Sequence, residues 1–203
     1  MAWDTEGTRS RLRDAAAIEF AAHGLDGTTM ANIAARAGIN KERLYNYFGD
    51  KRTLFDTILA EEMALLSRSV TPPTGGFEAV GEFAGRTFDY YAEHPQLARL
   101  LLWEGLADGP IADVERRTGH YRDKVATYRA AQRESSSGTF LDADHLVFVA
   151  IALAAWWFSV PQLAFMLTGA GPDDVDERAR RRATVVAAAE RLARPDDPSG
   201  VAR

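Results

Sequence analysis

The feature that most constrains this chain is the spacing of apolar residues around Gly38, within residues 28–55, TTMANIAARAGINKERLYNYFGDKRTLF. Met30, Ile33, Ala34 and Ala37 recur at i, i+3, i+4 and i+7, the apolar stripe of one short helix. Thr28 precedes the stripe, where a hydroxyl can accept a free backbone N–H of the first turn. Gly38 follows it. Glycine enters the left-handed conformation at little cost, so Ala37-Gly38-Ile39 reads as a sharp turn. Asn40 can cap a second helix, with Leu44, Tyr47 and Phe48 inward. Asp50 can cap the next, with Leu54, Phe55, Ile58 and Leu59 on its buried side. Helix, glycine turn, helix is the helix-turn-helix pattern, whose second helix lies in the major groove of DNA.

The run Gly24…Thr28-Thr29-Met30-x-x-Ile33-Ala34-x-x-Ala37-Gly38-Ile39-x-x-x-x-Leu44-Tyr45-x-Tyr47-Phe48-x-x-Lys51-x-x-Leu54 resembles the N-terminal signature of TetR-family bacterial transcriptional regulators. The resemblance covers roughly residues 8–60; beyond it the chain resembles the family in length and helical character. It implies that Lys41, Glu42 and Asn46 contact bases. The chemistry suits them: Lys donates to guanine, Asn pairs with adenine, and Glu accepts from cytosine. Arg43 can reach either bases or backbone. Tyr45, Tyr47, Thr29 and Lys51 match family positions whose side chains touch phosphate, and free N–H groups at a helix start also attract phosphate. Thr28 and Asn40, at the two helix starts, complete the DNA-binding candidates.

The charge pattern agrees. Net charge is −5. Yet residues 28–55 hold five basic residues (Arg36, Lys41, Arg43, Lys51, Arg52) against two acidic ones (Glu42, Asp50). Residues 61–203 hold sixteen basic and twenty-one acidic residues. The positive excess sits in the motif, and an acidic remainder disfavours docking the wrong face on phosphate.

The rest reads as helices. A first helix spans residues 8–23, with Leu12, Ala16 and Phe20 on one stripe and Ala15, Ile18 and Ala22 beside it. Arg9, Arg11 and Arg13 lie near its start, facing either phosphate or solvent. His23 to Gly27 reads as the loop that ends it, with Gly24 just past the last turn. Further helices are expected over 50–69, 77–93, 95–106, 111–134, 142–167 and 173–193. Thr71-Pro72-Pro73-Thr74-Gly75-Gly76, His94-Pro95, Asp108-Gly109-Pro110 and Ser135-Ser136-Ser137-Gly138 separate them. The expected fold is all-α: a helix-turn-helix DNA-binding domain over 1–50, a helical ligand-binding and dimerisation bundle over 51–193, and a frayed tail over 194–203.

Leu146 to Leu167 is uncharged for about 22 residues, the length of a membrane span. Its flanks are Asp142, Asp144, Asp173 and Asp174 rather than Lys or Arg, and Ser159, Pro161 and Gln162 interrupt it. A helix apolar all round is equally one buried between its own domain and a partner. The resemblance assigns it to a homodimer interface formed by residues 142–167 and 173–193, with no membrane. The last helix offers small residues for close packing, Val175, Ala179, Ala183, Val186, Ala187 and Ala193, with Arg178, Arg180, Arg181 and Arg182 around it.

Aromatic residues concentrate in the middle of the chain. Phe88, Tyr91, Trp103, Tyr121, Tyr128 and Trp156, with Glu104 beside Trp103, are the candidates to line a small-molecule pocket. Each is also an ordinary core residue taken singly. No metal or cofactor is expected: His23, His94, His120 and His145 lack ligand spacing, and no P-loop, dinucleotide or Gly-x-Ser-x-Gly pattern occurs. The chain has no cysteine, hence no disulfide framework, which fits a reducing cytoplasm. MAWDTEGTRSRLRD has no apolar core of a signal peptide. The resemblance implies a non-enzymatic repressor that binds double-stranded DNA at a two-fold symmetric operator and is released by a hydrophobic effector. A helix-turn-helix protein governed by a protein partner, or associated with a membrane, is the alternative.

Overall fold

The computed structural model describes residues 5–71, 77–134, 141–171 and 173–194. Among them every regular element is helical: α1 (Thr5–Gly27), α2 (Met30–Ala37), α3 (Lys41–Phe48), α4 (Lys51–Ser69), α5 (Phe77–Glu93), α6 (Pro95–Leu106), α7 (Val114–Glu134), α8 (Ala143–Ser159), α9 (Pro161–Thr168) and α10 (Val175–Ala193). The expected loops over 72–76 and 135–138, and the tail beyond Arg194, lie outside the described residues.

Two compact units form, and neither is continuous in sequence. Unit one comprises residues 1–66 and 94–114; unit two comprises 67–93 and 115–203. The division expected at residue 50 is therefore corrected. The buried residues of α4, Leu54, Phe55, Ile58, Leu59 and Met63, belong to unit one, where Phe55 meets Phe20 of α1 edge-on at 5.2 Å. α6 joins the same unit by packing on α1.

In unit one, Leu12, Ala16 and Phe20 of α1 are fully buried, as their stripe predicts. Ile18 and Ala22 are exposed instead, because they fall on the solvent side of the same helix. The predicted loop over 23–27 is a kink: Gly24 takes φ 69° and ψ −175°, and helical turns resume to Gly27. Only glycine adopts that backbone readily. It is also tightly crowded, since a Cβ at Gly24 would lie 2.7 Å from the Trp103 ring. The Ala21 carbonyl, released by the kink, accepts from Arg99 Nε at 2.7 Å and from the Trp103 indole N–H at 3.3 Å. α6 thus supplies the hydrogen bonds that the broken α1 loses.

In unit two, α5 packs against α10 and α8, and α8 against α10. Val80, Phe83, Ala84, Phe88 and Tyr91 give α5 a continuous buried face. α10 approaches closely at Gly85, where a Cβ would lie 2.9 Å from Val186 Cγ2. Arg182 Nε bonds both oxygens of Asp89 at 2.7 and 2.9 Å along this contact. α7 lies on α5 through Tyr128, whose ring meets Phe83 at 6.0 Å. Val114, expected inward on α7, is 48% exposed because it starts the helix.

The single helix expected over 142–167 is broken. α8 and α9 meet at Val160 and bend by 82°. Pro161 has no N–H to bond back to Trp157, and its ring excludes the carbonyl there, so the helix restarts with proline in its first turn. Among the described residues no single helix is long and apolar enough to cross a membrane; the bent pair passes only by combined length and composition.

Candidate functional site

The α2–turn–α3 geometry follows from three capping groups. Thr29, not Thr28, caps α2: its Oγ1 accepts the Asn32 N–H at 3.1 Å. Adjacent hydroxyls left the sequence ambiguous by one residue. Thr28 is 1% exposed, and its hydroxyl donates to the Glu19 carbonyl at 3.1 Å. Thr28 is therefore withdrawn both as the cap and as a DNA-facing side chain. Gly38 sits at φ 66° and ψ 35°, and the Ile39 N–H reaches the Ala34 carbonyl at 3.0 Å, closing the turn. Asn40 Oδ1 accepts the Glu42 N–H at 2.9 Å, and Asp50 Oδ1 the Thr53 N–H at 2.8 Å, as the sequence predicts. Thr29→Ala should cost about 1 kcal/mol of stability, measured by urea unfolding, since it removes one cap.

These caps fix which side of α3 looks outward. Leu44 and Phe48 are buried beneath it, and Tyr47 is half-buried. Asn40, Lys41, Glu42, Tyr45 and Asn46 are exposed, and Arg43 is half-buried. Lys41 Nζ lies 5.6 Å over the Tyr45 ring. Lys51, at the start of α4, is half-buried and gives one N–H to the Thr28 carbonyl at 3.1 Å. An ammonium has three donors, so this anchors the Lys51 side chain while leaving capacity for phosphate.

Two residues of the basic excess serve the fold. Arg36 Nε bonds Glu19 Oε1 at 2.6 Å, joining α2 to α1. Arg52 pairs with Asp56 at 2.9 Å and donates to the Pro110 carbonyl at 2.6 Å. Sequence reasoning missed the Glu19 pair. Its signal was a carboxylate on the buried stripe of α1, four residues after Ala15.

The proposed pocket residues divide between the units. Trp103 and Glu104 belong to unit one and have structural partners there. Trp103 closes on Gly24, and Glu104 Oε1 accepts the Ala112 N–H at 2.9 Å. Their pairing as a cation-binding corner is thus replaced by roles in the α1 kink and the 107–113 loop. Trp156 is 56% exposed on α8, which moves it from the predicted interior to the surface. Phe88, Tyr91, Tyr121 and Tyr128 stay together in unit two. Phe88 and Tyr91 both meet Phe158, at 5.1 and 6.2 Å, and burial pushes the phenols of Tyr91 and Tyr128 well above their usual range. Tyr121 is half-buried.

The exposed apolar side chains of unit two form the other distinctive surface. Phe148, Trp156, Phe165, Met166, Leu167 and Val175 are each more than half exposed. On α10, Val175, Ala179, Ala183 and Ala187 repeat every fourth residue and all face solvent. Val186 and Ala193, expected on that face, turn inward, Val186 partly and Ala193 fully.

Comparison with known proteins agrees with this architecture. Residues 12–58 match the family described as bacterial regulatory proteins, tetR family, and residues 79–191 match the tetracyclin repressor-like C-terminal domain. The HTH-type transcriptional repressor SCO4008 of Streptomyces coelicolor is 37% identical over 175 residues, covering 85% of this chain and 90% of that protein. The HTH-type transcriptional regulator RutR of Escherichia coli is 26% identical over 159 residues, covering 71% and 74%. The solved structure of SCO4942 from Streptomyces coelicolor superposes with a TM-score of 0.76 at 28% identity, covering 91% of this chain and 97% of that one. A capped helix-turn-helix with a polar outer face, followed by a helical unit that matches over most of its length, makes this chain a TetR-family DNA-binding transcriptional regulator.

Proposed function

We propose that the chain is a repressor that binds a two-fold symmetric operator as a homodimer and leaves it when a small molecule occupies unit two. The observation that carries the reading is the amphipathic α3: Leu44 and Phe48 fix its inner side, while Lys41, Glu42 and Asn46 project outward. Base edges in the major groove are recognised by these side-chain types. Two such helices, held by a dimer, reach successive major grooves about 34–36 Å apart. The exposed face of α8, α9 and α10 supports dimerisation, because contiguous apolar surface of this kind marks an interaction site. SCO4008 carries the name of a repressor, which supports the direction of control.

Selection of bound duplexes from a random pool tests the reading. A palindromic consensus is expected; an asymmetric or absent consensus overturns it. Variants then separate the roles of individual side chains. Lys51→Ala should weaken all sequences about equally, because a phosphate contact carries no base information. Lys41→Ala should lose about 1–3 kcal/mol of discrimination at one base position. Titration against operators mutated at each position reads the difference. Uniform weakening by Lys41→Ala would remove it from the readers.

α4 is the element through which a ligand would act, because its residues contribute to both units. A ligand that fits only one arrangement of α4 shifts the population toward it, and operator affinity falls by the same coupling free energy.

A further inference from the structure

Unit two buries a cation with no carboxylate beside it. Lys124 of α7 is 4% exposed. Its Nζ donates to the Val70 carbonyl at 3.0 Å and lies 4.9 Å over the Phe83 ring. Among the described residues no Asp or Glu forms an ion pair with it. Lys almost never occupies such a position without a partner. Burial brings this ammonium down to about 8, so at neutral pH it still carries its charge for most of the time.

His120 lies one helical turn earlier on the same side of α7. Its Nε2 is shut off from solvent and has no hydrogen-bond partner. Burial, and then the charge of Lys124, hold His120 below the usual histidine range, so the ring is neutral and keeps one N–H to donate. The neighbouring phenol does not complete the pair, because Tyr128 spends its hydroxyl on the Ala79 carbonyl at 3.4 Å. Capping Val70 accounts for one donor of Lys124. It accounts neither for the charge, which a neutral donor would spare, nor for the unpartnered imidazole nitrogen.

We propose that Lys124 and His120 form the polar end of the effector site, and that the effector is an organic monocarboxylate with an aromatic or alicyclic body. The proposal rests on the reading of unit two as the ligand-binding part. One carboxylate oxygen accepts from Lys124 Nζ, and the other accepts from the His120 ring N–H. Phe83, Tyr128 and Tyr91 offer the apolar surface for the body. A single negative charge matches a single buried cation; a dianion would leave one charge uncompensated. A buried charge pair also gives selectivity, because a neutral analogue leaves the ammonium unpaired.

The test uses the full chain and four acids, benzoate, 1-naphthoate, cyclohexanecarboxylate and decanoate, each against its primary amide. Thermal unfolding and calorimetric titration read the binding, since a ligand specific to the folded form raises Tm. At least one acid should bind tenfold or more tightly than its amide. Lys124→Met should weaken that acid at least tenfold, leave the amide unchanged, and retain operator affinity in the absence of ligand. Should Lys124→Met fail to fold, His120→Phe carries the same comparison, with a several-fold loss expected for the acid alone. Amides binding as tightly as acids, or acids binding the variants unchanged, overturn the carboxylate assignment while the effector reading stands. No binding by acids or amides overturns both.

Discussion

Phe148→Glu should convert the protein to a monomer and lower its operator affinity by about 10²–10⁴-fold. The size follows from linkage. When two half-site binders are joined, the second contact is made at high effective concentration, and splitting them forfeits that gain without touching α3. Phe148 is 73% exposed in the single chain, so the substitution removes little packing within its own subunit. Surface changes of this kind usually lie within about 0.5 kcal/mol of neutral for the fold. Sedimentation equilibrium and operator titration should therefore change together while the unfolding midpoint of the monomer is unremarkable. A Phe148→Glu protein that stays dimeric with unaltered operator affinity would place the interface elsewhere.

Gly24→Ala should destabilise unit one by about 2–6 kcal/mol. The backbone term is about 1–3 kcal/mol, because φ 69° with ψ −175° lies in a region reserved almost wholly for glycine. Overpacking adds about 1–3 kcal/mol, because the new methyl would stand 2.7 Å from Trp103 Cε3 and 2.8 Å from Cδ2. A whole domain commonly has only about 5–15 kcal/mol of stability, so the loss is a large share. The two terms can be separated. In a Trp103→Ala background the steric part vanishes and the backbone part stays. A double-mutant cycle in urea should thus show Gly24→Ala costing about 1–3 kcal/mol less once the indole is gone. Equal costs in both backgrounds would mean that the ring yields freely, and that conformation alone explains the glycine.

Local features were legible in the sequence, and contacts between distant stretches were not. Gly38, Asn40 and Asp50 announce their turn and caps because each acts on backbone within three residues. The same logic misplaced the cap of α2 by one position, since Thr28 and Thr29 are chemically alike and only the fold decides which one is buried. The role of Trp103 had no local signature. Its partners, Ala21 and Gly24, lie about eighty residues away, so an aromatic side chain near a carboxylate read as a ligand corner. Trp156 misled for a different reason. α8 is apolar on all sides, so no polar face exists to tell the inner side from the outer one. The proline at 161 was visible, but its consequence depends on geometry: where neighbours hold the freed carbonyls a helix can continue, and here it turns sharply. The exposed side of α3 was readable throughout, because two buried residues at i and i+4 orient so short a helix.

The split composition of unit one limits how this regulator can be re-engineered. Its operator-reading head borrows a brace, residues 94–114, from a point far downstream in the gene. A hybrid made by fusing the first 66 residues to a foreign sensor would leave the Ala21 carbonyl without its two donors and Glu104 absent from its loop. A transplant that respects the architecture must carry both pieces and let the new module enter as an insertion, after Leu66 and before His94, rather than as an appended tail.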